Sequence, residues 1–179
     1  RHELLVADGD EDVEALEATR PGEPPDAYVE RVTHAKLRAA TRRLRTRGLL
    51  PAPILCADTT VVLGARILGK PVDAADAVRM LALLSGRSHR VISAVAVAAR
   101  GRTRLAASVS RVRFATLTRD RIERYVAGGE PFGKAGAYAI QSGAAAWIEK
   151  IEGSYTGIMG LPLHETAALL EWAGVAVRP

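Results

Sequence analysis

The sequence predicts an α/β or α+β fold, a mixed β-sheet flanked by helices, and three observations carry that reading. Runs rich in Val, Ile and Ala at residues 50–63, 89–99 and 104–115 suit buried strands. Stretches at 26–47, 74–84, 118–127 and 162–172 repeat their apolar residues at helical spacing. The two kinds of segment interleave without strict βαβ regularity, which favours a sheet of mixed strand order over a doubly wound one. The 179 residues are enough for one domain, taken as 1–179, with a sizeable core.

Taken in order, the proline-rich stretch 21–25 is a break, after which Asp26 is placed to cap a helix running to residue 47, with Gly48 as its stop. Val29, Val32, Lys36 and Ala40 share one stripe of that helix, so a lysine stands where an apolar residue is expected. Either its stem lies along the core with the ammonium in water, or the amine points into a cleft. A strand over 50–63 turns at Gly64-Ala65 into a short return through Ile67-Leu68. Asp73 caps a helix over 74–84 that carries Ala77, Met80, Leu81 and Leu84 on one face, with Gly86 past its end. The strands 89–99 and 104–115 join through Arg100-Gly101 as a hairpin. In the second, Ser108, Ser110, Arg111 and Arg113 are expected on a wet face against Val109, Val112 and Phe114. Thr118 opens a helix ending at Gly128-Gly129, short strands are expected at 138–141 and 145–151, and a last helix at 162–172.

Composition narrows the function. No apolar stretch approaches the roughly 20 residues that span a bilayer, so no membrane partner is expected. Cys56 is the only cysteine and lies in an apolar run, which suggests an inert core thiol and a reducing cytoplasm. The net charge of +5 invites a nucleic-acid reading. Aromatic platforms are scarce, however, and Arg38, Arg42, Arg43, Arg45 and Arg47 spread around a helix as a solvated face, so no nucleic acid is expected. The chain has 21 Arg and only four Lys, Lys36, Lys70, Lys134 and Lys150, so it uses Arg for generic surface charge and each Lys gains interest.

The candidates for chemistry are acids and amines. Asp58, within Ala57-Asp58-Thr59-Thr60-Val61-Val62, is costly to bury unless it is paired, bonded to turn amides or bound to a cation. Glu11, within Asp8-Gly9-Asp10-Glu11-Asp12, is a second acid in what reads equally as a solvated loop. Lys70 follows Gly69 and precedes Pro71, which restrains its backbone. His89 reads as a hydrogen-bonded structural residue entering a strand. Lys134 and Lys150 read as surface or loop charges, with Lys134 a secondary phosphate candidate.

Together with Leu84-Ser85-Gly86, the Ser110–Phe114 strand, Ala135-Gly136-Ala137-Tyr138-Ala139-Ile140-Gln141 and Gly153-Ser154-Tyr155-Thr156-Gly157-Ile158-Met159-Gly160-Leu161-Pro162, these runs resemble the Maf family of nucleoside triphosphate pyrophosphatases. The resemblance covers nearly the whole chain in order. It implies an elongated sheet of the inosine triphosphatase kind with a substrate cleft, and cleavage of a nucleoside triphosphate to monophosphate and pyrophosphate. It makes Asp58 and Glu11 the acidic centre for Mg²⁺ or Mn²⁺ and water, and Lys36 and Lys70 the phosphate-binding amines. Gln141 falls in the base-recognition set of the branch that prefers dTTP and UTP, where an amide pairs donor and acceptor with a pyrimidine edge. Arg1 is implied as a phosphate ligand, because Arg1-His2-Glu3-Leu4-Leu5 looks like the tail of the family's Ser-x-Pro-Arg-Arg loop. Family residues are accordingly expected to be missing before Arg1 and between Leu5 and Val6. A homodimer is suggested by the family alone. The alternative reading is a nucleotide-binding regulator of septum formation without turnover.

Overall fold

A computed structural model describes residues 2–9 and 11–177. Five strands form one sheet in the order β2-β1-β3-β4-β5, with β1 Ile54–Leu63, β2 Arg66–Leu68, β3 Ser88–Ala99, β4 Arg102–Phe114 and β5 Ile148–Glu152. Every pairing is antiparallel. The helices are α1 Pro25–Thr46, α2 Ala74–Leu84, α3 Arg119–Ala127, the single turn α4 Tyr155–Ile158, and α5 Leu163–Trp172. The expected α+β class is therefore what forms, and among the described residues no helix is long and apolar enough to cross a membrane.

Period-two alternation divides β1 between the two faces of the sheet. Ile54 and Val62 lie under α1, against Leu37 and Ala40 at one end and Val29 and Val32 at the other. Val61 points to the opposite side, into the main core with Met80, Leu81, Leu84, Val112 and Phe114. Asp58 is four residues from both Ile54 and Val62, so it shares the α1 face. β2 pairs only with Val61, Val62 and Leu63. The outer edge of β1 before Val61 is thus left without a strand neighbour, and this opening becomes the cleft.

Several boundaries differ from expectation for local reasons. Pro24 rather than Asp26 occupies the cap of α1, because Pro25 is pre-shaped for a first helical turn; Asp26 sits inside that turn and faces Arg90. Asp73 and Thr118 do cap α2 and α3, each accepting from a backbone N–H three residues on. On β4 the wet face consists of Val109, Arg111 and Arg113, while Ser108 and Ser110 are buried. Ser110 Oγ accepts from Ser154 N at 2.9 Å, which ties the strand to the segment leading into α4. No strand forms at 138–141. Gly136 and Ala137 both adopt left-handed φ, 69° and 62°, and turn the chain away from the sheet. Residues 143–147 coil into a 3-10 turn, so the last strand begins only at Ile148. Of the five arginines on α1, Arg43 is buried rather than solvated.

Candidate active site

The cleft, about 380 Å³, lies between α1, the exposed edge of β1, the Gly69-Lys70 turn and the 133–141 loop, with Met159 and Gly160 at its rim. Asp58 enters from β1 with its side chain 9% exposed. Lys36 reaches it from α1, Nζ to Oδ1 at 2.5 Å, and also donates to Glu17 Oε1 at 2.7 Å. Lys70 approaches the same acid from the other side, 2.9 Å from Glu17 Oε2. Two acids and two amines thus form one continuous chain, Asp58–Lys36–Glu17–Lys70. Interrupting the apolar stripe of α1 with Lys36 places a cation above the one acid of the facing strand.

Burial pushes the Asp58 carboxyl above the usual aspartate range, and the Lys36 ammonium only partly offsets this. Burial pushes Glu17 the same way, but hydrogen bonds from Lys36 and Lys70 outweigh it and hold that carboxyl below its ordinary value. Lys36 is likewise desolvated, yet its bonds to Asp58 and Glu17 keep it firmly protonated. Within one cleft, one carboxyl is thus pushed above its ordinary value and the other is held below it.

Sequence reasoning alone does not point to Glu17. It ends a 3-10 turn, Glu14–Glu17, started by Asp12 Oδ1 accepting from Ala15 N at 2.9 Å. Tyr28 Oη donates to the Glu17 carbonyl at 2.9 Å and Arg31 donates to the Ala18 carbonyl at 2.9 Å, so α1 holds the turn in place through backbone bonds. An acid in a polar stretch before a proline break carries no local signal; only the fold brings it to Lys36. Glu11 does not join the cleft. It pairs with the buried Arg43, which also donates to the Leu5 carbonyl, near the far end of α1. Arg1 lies outside the described residues.

Gln141 lines the cleft with its side chain exposed, on the wall formed by the 133–141 loop. That wall is braced from behind: Tyr138 hydrogen-bonds His89 Nε2 at 2.7 Å and packs edge-on against Phe114. Burial drives the His89 imidazole down to about 4, so it is neutral near pH 7 and serves as a hydrogen-bonded core residue. Thr59 and Ser93 share a hydrogen bond at 2.6 Å, and Ser93 donates to the Gly157 carbonyl at 2.6 Å, anchoring α4 and the rim beside Asp58. Cys56 is half-buried, and burial raises its thiol, consistent with an unreactive side chain. No group of three or more His, Cys, Asp or Glu is placed to hold a metal ion among the described residues.

Fold and cleft together define a class of α+β domain in which acids and amines from α1, β1 and two loops converge beside an uncovered strand edge. The chain belongs to the Maf family: the family described as Maf-like protein matches residues 1–173. Among curated relatives, a protein of Ralstonia nicotianae named dTTP/UTP pyrophosphatase is 62% identical over 178 residues, covering 99% of this chain and 86% of that protein. Proteins of the same name from Cupriavidus metallidurans and Albidiferax ferrireducens are 60% and 56% identical, over 97% and 99% of this chain and 87% and 88% of theirs.

Proposed function

We propose that this chain hydrolyses the α–β phosphoanhydride of a nucleoside triphosphate, dTTP, UTP or a modified relative, to the monophosphate and pyrophosphate. The observation that carries the proposal is the Asp58 carboxylate, nearly buried beside an open strand edge, with Lys36 and Lys70 in the same cleft. The names of the relatives support the reaction and the pyrimidine preference. Gln141 on the cleft wall supplies an amide that suits a pyrimidine edge.

Asp58 is the group placed to take a proton from water, being the nearly buried carboxylate of β1 at the open strand edge of the cleft. The water oxygen bonds to the α-phosphorus, the bond from that phosphorus to the bridging oxygen breaks, and pyrophosphate leaves with the electron pair. Lys36 faces the charge that grows at the α-phosphate, and Glu17 fixes the directions of Lys36 and Lys70. A divalent cation, Mg²⁺ or Mn²⁺, fits the donor set: Asp58 and Glu17 both lie within hydrogen-bond distance of Lys36 Nζ, and Mg²⁺ is commonly held by one or two carboxylates plus substrate phosphates. Such an ion would supply charge neutralisation at the phosphates. In this reading Glu17 takes the acidic role that the resemblance assigned to Glu11, whose carboxylate is occupied by Arg43. A homodimer and a cytoplasmic setting complete the proposal; sedimentation at micromolar concentration reads the first and fractionation the second.

The test is product analysis with canonical and modified nucleoside triphosphates and Mg²⁺ or Mn²⁺, resolving pyrophosphate from orthophosphate. Pyrophosphate, formed fastest from dTTP or UTP, is expected. Orthophosphate as first product overturns the assignment of the bond cleaved, and nucleotide binding without turnover overturns the reaction and favours the regulator.

A further inference from the structure

The cleft holds a third amine that the chemistry above leaves idle. Lys134 lines it together with Lys36 and Lys70. Its Nζ donates to the Glu130 carbonyl at 2.6 Å. Among the described residues no carboxylate forms an ion pair with it, whereas Lys36 is shared by Asp58 and Glu17 and Lys70 meets Glu17. An ammonium has three donors, and a neutral carbonyl satisfies one of them without balancing the charge. A half-buried cation left in that condition favours an anionic partner. Bracing a turn alone would not require the charge, since any neutral donor of similar reach serves a carbonyl.

The backbone says where that anion would sit. Gly136 N donates to the Gly69 carbonyl at 3.0 Å, stitching the loop of Lys134 to the turn of Lys70. Gly136 also lies so close to β1 that an added Cβ would meet the Val61 side chain at 2.9 Å, three residues beyond Asp58. Lys70 and Lys134 therefore stand on two loops locked together beside β1, while Lys36 stands across the cleft on α1. Gln141 lies farther along the Lys134 wall.

We infer that Lys134 and Lys70 form the binding site for the leaving pyrophosphate, the β and γ phosphates of the substrate. Lys36 is then the amine of the α-phosphate. This rests on the proposed hydrolysis and deepens it: as the bridging oxygen takes the electron pair, charge grows between the two ammoniums, one of which has no competing acid. Attraction that increases along the reaction is the kind that accelerates it.

The experiment measures inorganic pyrophosphate and dTMP binding by calorimetry at fixed Mg²⁺, in the parent, Lys134→Met, Lys134→Gln and Lys134→Arg. Lys134→Met is expected to weaken pyrophosphate about tenfold or more, the usual effect of losing a charged hydrogen bond, while dTMP changes less than twofold. Lys134→Arg should recover part of the loss. Lys134→Gln keeps a donor for the Glu130 carbonyl without the charge, so it should behave as Met does; parent-like pyrophosphate affinity in Gln overturns the inference. So do equal losses for pyrophosphate and dTMP, unchanged pyrophosphate affinity in Met, or a parent that does not bind pyrophosphate. These contrasts need no turnover, so a parent that binds both ligands in the expected way and fails to cleave dTTP refutes the reaction and leaves the anion site standing.

Discussion

Lys36 Nζ stands 2.5 Å from Asp58 Oδ1, bridging α1 to the exposed edge of β1. The two residues depend on each other in different ways. Lys36→Met leaves the nearly buried Asp58 without its nearest cation, and a loss of about 2 kcal/mol in urea unfolding is expected, below the roughly 3 to 5 kcal/mol for breaking a fully buried pair because Lys36 is partly exposed. Asp58→Asn keeps an acceptor for the ammonium, so unfolding should move little while turnover falls about 10²-fold or more. Retention of more than about a tenth of the parent rate would remove Asp58 from the role of base.

Glu17 and Glu11 make opposite predictions. Glu17→Gln releases Lys36 and Lys70 from a shared carboxylate, and the rate of pyrophosphate release should fall at least about tenfold with stability near the parent's. Glu11→Gln removes the partner of the buried Arg43 and should lower stability by about 1 to 3 kcal/mol with turnover within about twofold. The reverse pattern, lost rate in Glu11→Gln and none in Glu17→Gln, would return the acidic role to Glu11.

What could be read from the residues follows the reach of each signal. Helix periodicity and caps are local, so α2 and α3 were legible to the residue at their starts, Asp73 and Thr118. Lys36 was legible because it breaks an apolar stripe, and Asp58 because it interrupts an apolar strand. Glu17 was not, since its neighbours hold its backbone through Tyr28 and Arg31, side chains 11 and 13 or more residues away that only the folded chain brings there. The 138–141 segment reads as a strand in sequence for a related reason. Its small apolar residues suit an extended chain, yet the Gly136 bond to Gly69 and contact with Val61 are long-range and fold it into a cleft wall. On β4 the serines lie inward because Ser154 and Gly157 cover them, which no alternation within the strand reveals.

His89 sets a pH dependence. Its imidazole titrates at about 4 in the fold and near 6.5 when unfolded, the cause being burial. Below the unfolded value the unfolded chain binds the extra proton, so stability falls as pH drops from about 6.5 and the loss levels off below about 4, at about 3 kcal/mol from this group. His89→Gln, which can still bond Tyr138, should show a flatter slope between pH 6.5 and 4 than the parent in urea unfolding. Equal slopes would mean that His89 is protonated in the folded protein over this range.

Gln141 carries the base preference in the proposed reaction. Gln141→Ala leaves the acids and amines in place, so kcat on a poorly discriminated triphosphate should hold while kcat/KM for dTTP over dCTP narrows by about tenfold, the range for a lost polar contact. An unchanged ratio would assign the preference to other groups on the wall.

The Gly136 contact with Val61 can be separated from its backbone conformation by a neighbour. Gly133 and Gly136 both have left-handed φ, 75° and 69°, but a Cβ at Gly133 meets nothing within 4 Å while one at Gly136 meets Val61 at 2.9 Å. Gly133→Ala should therefore cost only the conformational strain, about 1 kcal/mol. Gly136→Ala adds a clash and should cost about 2 to 3 kcal/mol, with Val61→Ala in the same chain giving less than additive loss because it removes the two Cγ atoms at 2.9 and 3.0 Å and leaves only its Cβ at 3.0 Å. Because this loop also carries Lys134, Gly136→Ala should weaken pyrophosphate binding while Gly133→Ala does not. Equal effects of the two alanines on both readouts would show that the loop is set by its own backbone and owes nothing to its packing on β1.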